Sequence, residues 1–114
     1  TVEERLELIT KSTLHIPNIK ISQFTGLVVD HAKNSDAIAL IRGLRHVSDF
    51  EFEFQMAMMN FHLNPEIASL FMMPDEKFIH LNSTVVKDVV KNGGDVSAFV
   101  PLCVNDALLS KYSS

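Results

Sequence analysis

The sequence predicts an α/β fold built on a parallel sheet, and three observations carry that prediction. Residues 37–41, Ala37-Ile38-Ala39-Leu40-Ile41, form an apolar run without period, halted by Gly43, the pattern of a short strand buried on both faces. Ahead of it, Ile19, Ile21 and Phe24 read as a short strand and Leu27, Val28, His31 and Ala32 as a short helix, giving the strand–helix–strand unit of parallel sheets. Behind it, a long helix over 48–63 leads to a third apolar strand over 67–73.

The elements follow in order. Thr1-x-x-Glu4 is a capping box, and Val2, Leu6, Ile9 and Thr13 trace one face of a helix over 2–12, with Glu7 and Lys11 a solvent-side pair. Pro17-Asn18 makes a turn, Thr25-Gly26 ends the first strand, and Asn34-Ser35-Asp36 ends the short helix. Ser48-x-x-Glu51 predicts a second capping box, with Asp49, Glu51 and Glu53 placing negative charge where the helix dipole favours it. Phe50, Phe54, Ala57, Met58 and Phe61 make one apolar stripe of that helix, and Phe52, Met56, Met59 and Leu63 make a second. Two stripes predict burial on two sides, in the chain's own core and in a subunit interface. Asn64-Pro65 stops the helix.

Beyond the third strand, residues 78–81 read as a loop. Asn82, Ser83 or Thr84 caps a helix with Val85, Val86, Val89 and Val90 facing inward, ended by Asn92-Gly93-Gly94. Pro101 opens a terminal helix carrying Leu102, Val104, Leu108 and Leu109, and Ser113-Ser114 are expected to fray.

Composition narrows the function. A chain of 114 residues fits one domain, 1–114. Fourteen acidic against ten basic residues, with no basic block, argue against a dedicated nucleic-acid binder. A lone cysteine, Cys103, forms no intrachain disulfide and reads as a small apolar residue. No apolar run approaches a membrane span and no signal peptide leads the chain, so a cytoplasmic location without membrane contact is expected. The five histidines, His15, His31, His46, His62 and His80, show no metal-ligand spacing.

The chemistry concentrates after the central strand. Arg42 and Arg45 stand at its carboxyl end, where ligands bind in open α/β sheets, and two fixed cations there point to an anion such as a phosphate. Gly43 between them allows the backbone to approach that ligand.

These residues carry a resemblance. Gly26-Leu27-Val28-Val29, the run Ile41-Arg42-Gly43-Leu44-Arg45-His46-Val47-Ser48-Asp49-Phe50-Glu51-Phe52-Glu53, Leu63-Asn64-Pro65-Glu66, Met73-Pro74 and Gly94-Asp95-Val96-Ser97-x-Phe99-Val100-Pro101 are similar to bacterial phosphopantetheine adenylyltransferases. The resemblance implies a Rossmann-like parallel sheet of the nucleotidyltransferase type. It also implies the reaction of ATP with 4'-phosphopantetheine to give dephospho-coenzyme A and pyrophosphate, in coenzyme A biosynthesis, with Mg2+. By the same resemblance Arg42 holds the phosphate of phosphopantetheine and Val28 lies beside the pantetheine arm. Gly43, Leu44, Arg45 and Glu53 line the ATP site, with Arg45 on the phosphates that leave. The segment Phe78, Ile79, His80, Leu81, Asn82, Ser83 and Thr84 wraps the nucleotide. A homo-hexamer is implied, with coenzyme A as a product-like inhibitor.

Two departures qualify the resemblance. The superfamily signature, Thr or His, any residue, Gly, His, has no match here, and neither does the family's substrate-binding lysine. No catalytic residue is therefore assigned, and the chain resembles the carboxyl-terminal two thirds of the enzyme. That leads to the expectation of a longer chain whose amino-terminal strands complete the sheet, and to a competing reading as a non-catalytic nucleotide- or coenzyme A-binding module. In the nucleotide loop, Leu81-Asn82-Ser83-Thr84 stands where the family has Ile-Ser-Ser-Ser. Asn82 still suits a helix cap.

Overall fold

The computed structural model describes residues 1–112, without the side chains of Val47 and Ser48. It divides into two compact units, one of Phe24–His80 and one of Thr1–Gln23 with the chain from Leu81 onward.

The unit Phe24–His80 contains helix α1 (Val28–Asn34), strand β1 (Ala39–Gly43), helix α2 (Val47–Leu63), strand β2 (Ala68–Met72) and a 3-10 turn (Glu76–Phe78). β1 and β2 pair in parallel from Ala39↔Ala68 to Gly43↔Met72, a geometry that needs a long crossover, which α2 supplies. The ladder continues at both ends, Ala68 N–H donating to Ile38 O (3.1 Å) and Leu44 N–H to Met72 O (2.9 Å). Val29, Ala32, Leu44 and Ile67 are buried and make the core of this unit. Phe50 of α2 meets Phe71 of β2 edge-on at 6.2 Å, seating the helix against the pair. Gly26 takes φ +93 in the turn before α1, where an L side chain would be strained, and Asp36 takes φ 57 in the turn after it.

The second unit packs α3 (Ser83–Lys91) and α4 (Leu102–Tyr112) with the amino-terminal helix, αN (Val2–Ser12). αN carries the expected capping box, Thr1 Oγ1 accepting from Glu4 N–H at 3.1 Å, and the Glu7–Lys11 pair closes at 2.7 Å. Against α4, αN brings Ser12 Oγ within 3.3 Å of the half-buried Cys103 Sγ, and Glu4 meets Lys111 at 3.2 Å. α3 ends in a Schellman motif: Gly93 N–H donates to Val90 O, Gly94 N–H donates to Val89 O, and Gly93 sits at φ +80.

Several expectations need correction. Residues 19–24 form no strand, because a strand is held by its ladder and this segment has no ladder partner among the described residues. The central strand runs over Ala39–Gly43 rather than 37–41, since Ala37 N–H donates back to Ala32 O at 2.9 Å and closes the end of α1. It is also not buried on both faces: Ile38 is 82% and Ile41 65% exposed, as a two-stranded sheet leaves them uncovered.

The long helix begins at Val47 with His46 as its N-cap and no side-chain cap hydrogen bond. The expected cap at Ser48 involves a side chain outside the described residues. In α3 only Val86 and Val90 turn inward; Val85 and Val89 are exposed, because residues one position away lie about 100° round the helix. The expectation for Ser113-Ser114 lies outside the described residues.

Candidate functional site

β1 and α2 build the site between them. Strand alternation sends Arg42 off β1 on the side where α2 presents Glu53, Met56, Ala57 and Asn60, which recur at the spacing of one helix face. Together with Phe24, Val28, Leu40, Ile41, Phe52, Ser69 and Phe71 they enclose a cavity of about 320 Å3. Its walls are mostly apolar, with a few polar groups, Arg42, Glu53, Asn60 and Ser69, which is the usual make-up of a small-molecule site.

Arg42 and Glu53 are joined there. Arg42 Nε donates to Glu53 Oε2 at 3.0 Å and Nη2 donates to Oε1 at 2.7 Å, a bidentate fork. The Glu53 side chain is only 12% exposed and the Arg42 side chain 59%, so the carboxylate is the seated partner and the guanidinium the open one. Hydrogen bonding from Arg42 holds the Glu53 carboxyl below its ordinary range, and Glu53 in turn raises Arg42. The strand boundary places Arg42 within β1 and not beyond it.

The remaining expected site residues are distributed as follows. Val28 opens α1 and lines the cavity. Gly43 ends β1, and a Cβ built there would meet no atom within 4 Å, leaving room for a ligand beside the backbone. Leu44 is 8% exposed and belongs to the core. Arg45 Nε lies 3.8 Å from Asp49 Oδ2 at the start of α2. Phe78 closes the 3-10 turn, capped by Asp75 Oδ1 accepting from Lys77 N–H at 2.9 Å. Ile79 is half-buried, and the exposed His80 ring lies 6.4 Å from that of His46, the residue after Arg45. Leu81, Asn82, Ser83 and Thr84 belong to the helical unit. There Asn82 Oδ1 accepts from Val85 N–H at 2.9 Å and caps α3, as its position predicts.

Several cavity residues escape a reading by stripes. Met56 falls in the second apolar stripe of α2, and that stripe partly serves the cavity. Asn60 carries a legible signal, lying seven residues after Glu53 on the same helix face. Phe24 is held by His31, whose ring stacks on it at 4.4 Å and 8°, a contact spanning a turn and a helix that no linear pattern encodes. Among the described residues, no group of three or more His, Cys, Asp or Glu could hold a metal ion.

Comparison with known proteins extends this picture. The model of the cytidylyltransferase-like family matches residues 1–89. A phosphopantetheine adenylyltransferase of Caldanaerobacter subterraneus subsp. tengcongensis is 45% identical over 112 residues, which is 98% of this chain and 70% of that relative.

Proposed function

The chain belongs to the phosphopantetheine adenylyltransferases of the cytidylyltransferase-like family, and from that premise we infer that it transfers the adenylyl group of ATP to 4'-phosphopantetheine, giving dephospho-coenzyme A and pyrophosphate in coenzyme A biosynthesis. In this reaction an oxygen of the pantetheine phosphate bonds to the α-phosphorus of ATP, and the bond from that phosphorus to the β-phosphate oxygen breaks. Two anions must be brought together in line, so positioning and charge stabilisation carry the rate.

The observation that supports this reading most is the cavity: one arginine, paired with a glutamate, among apolar walls with an amide from Asn60 and a hydroxyl from Ser69. An arm with two amides and a terminal phosphate needs those three features. Arg42 takes the phosphate, Val28 and Met56 pack on the arm, and Asn60 and Ser69 meet its amides. Arg45 binds the ATP phosphates that depart as pyrophosphate; in the helical unit, taken by itself, Asn82 with the amino-terminal turn of α3 offers amide donors of the kind that receive phosphate. Glu53, Phe78, Ile79 and His80 complete the nucleotide side in this reading.

Magnesium accompanies ATP in the proposal, held by substrate phosphates, and no residue of this chain is assigned to it. The exposed apolar surface of α2, with Met58 and Phe61 each 57% exposed, supports a homo-hexamer that covers it. We place the enzyme in the cytoplasm, with coenzyme A as a product-like inhibitor. No helix among the described residues is long and apolar enough to cross a membrane.

The test is calorimetric. The protein as its gene encodes it should bind 4'-phosphopantetheine at least about tenfold more tightly than pantetheine, the difference a charge-assisted phosphate contact provides. Equal affinities would reject the role of Arg42.

A further inference from the structure

We propose that Glu53 is the positioning residue for the phosphate grip of Arg42, seating one edge of the guanidinium so that the opposite edge faces the phosphate of the substrate. The proposal rests on the reading that Arg42 holds that phosphate, and adds how the arginine is aimed. A guanidinium carries five N–H donors in a rigid plane. Glu53 engages Nε and one hydrogen of Nη2. What remains is Nη1 with the second hydrogen of Nη2, two parallel donors whose spacing matches two phosphate oxygens.

The burial asymmetry gives the pair its direction. Glu53 is fixed on a helix at 12% side-chain exposure, whereas Arg42 reaches into the cavity at 59%. A free arginine would have to surrender rotamer freedom when phosphate arrives, and the fork has removed that freedom beforehand. Partial neutralisation of Arg42 by Glu53 acts in the opposite sense. The geometry favours orientation as the larger effect, because the unused edge is left whole for a bidentate contact.

Glu53→Gln tests this. A glutamine amide brings a donor where the fork supplies only donors, so it cannot keep both bonds. Binding is measured without ATP, using 4'-phosphopantetheine and pantetheine as probes, for wild type, Glu53→Gln, Arg42→Ala and the double variant. The expected result is a loss of about tenfold for 4'-phosphopantetheine in Glu53→Gln, unchanged pantetheine binding, and a double variant no weaker than Arg42→Ala.

Phosphate discrimination kept in Glu53→Gln but lost in Arg42→Ala would overturn the positioning role alone. Discrimination kept in Arg42→Ala would overturn both the role and the reading beneath it. An equal loss for both probes would mark general damage to the cavity and overturn the proposal. Glu53→Asp, with its carboxylate one methylene short, should fall between wild type and Glu53→Gln, and supplies the same measurement if Glu53→Gln does not fold.

Discussion

Glu53 of α2 holds Arg42 of β1 through two hydrogen bonds, at 3.0 and 2.7 Å, across eleven positions of sequence. The pair ties a strand to the helix that follows it, so its protonation bears on stability. The folded Glu53 carboxyl lies below its ordinary value of 4.5. Its contribution is therefore present above that value and lost as pH falls through the lower folded one. With Arg42 largely exposed, the contribution is at most about 1 kcal/mol. Urea denaturation of wild type and Glu53→Gln should show a gap of that order at neutral pH that shrinks as the pH falls below the ordinary carboxylate value; a gap that widens on acidification would contradict the assignment.

Arg45 tests the nucleotide half of the site separately. Arg45→Ala should weaken ATP binding by roughly ten- to a hundredfold, the equivalent of about 1.5–3 kcal/mol for a charge-assisted contact, with 4'-phosphopantetheine binding near wild type. Calorimetric titration of each ligand reads both. Loss of phosphopantetheine binding with ATP unaffected would reverse the two arginines.

Asn82 combines a structural with a proposed functional role. Its side chain accepts from Val85 N–H at 2.9 Å, so Asn82→Ala should lower stability by about 1 kcal/mol. Asn82→Ser keeps a capping oxygen and should restore most of that loss in chemical denaturation.

Gly94 is required for space. A Cβ there would collide with Val89 Cγ1 and press on Val89 O at 3.1 Å, so Gly94→Ala should cost about 1–3 kcal/mol. Gly43→Ala meets open space and should leave stability nearly unchanged while lowering nucleotide affinity. Thermal unfolding of the two variants side by side distinguishes them.

The exposed face of α2 makes an assembly prediction. Met58→Glu together with Phe61→Glu places charge on that surface and should shift the protein to smaller species in size-exclusion chromatography. Wild-type protein that elutes as a monomer would remove the hexamer from the account.

Local signals in the sequence translated well into structure. The box at Thr1 and Glu4 and the stop at Gly93-Gly94 depend on a few adjacent residues and stand where they were read, and the cap expected at Asn82, Ser83 or Thr84 falls on Asn82. The parallel pairing of the second and third strands was also legible, through the helix between them. What failed depended on neighbours. Residues 19–24 have strand composition but no ladder, and Ile41 has the character of a doubly covered strand without the cover. Arg42 and Glu53 were each expected as ligand contacts, and both line one cavity; their mutual fork was not legible, because nothing in a linear pattern says that a strand arginine and a helix glutamate meet.

The most direct test of the central claim is to incubate the protein as its gene encodes it with ATP, magnesium and 4'-phosphopantetheine, and to follow dephospho-coenzyme A and pyrophosphate together. The account predicts equal amounts of the two products, and an apparent KM for 4'-phosphopantetheine raised about tenfold or more in Arg42→Ala. Binding of both substrates with no product formed would contradict it and identify a binding module instead.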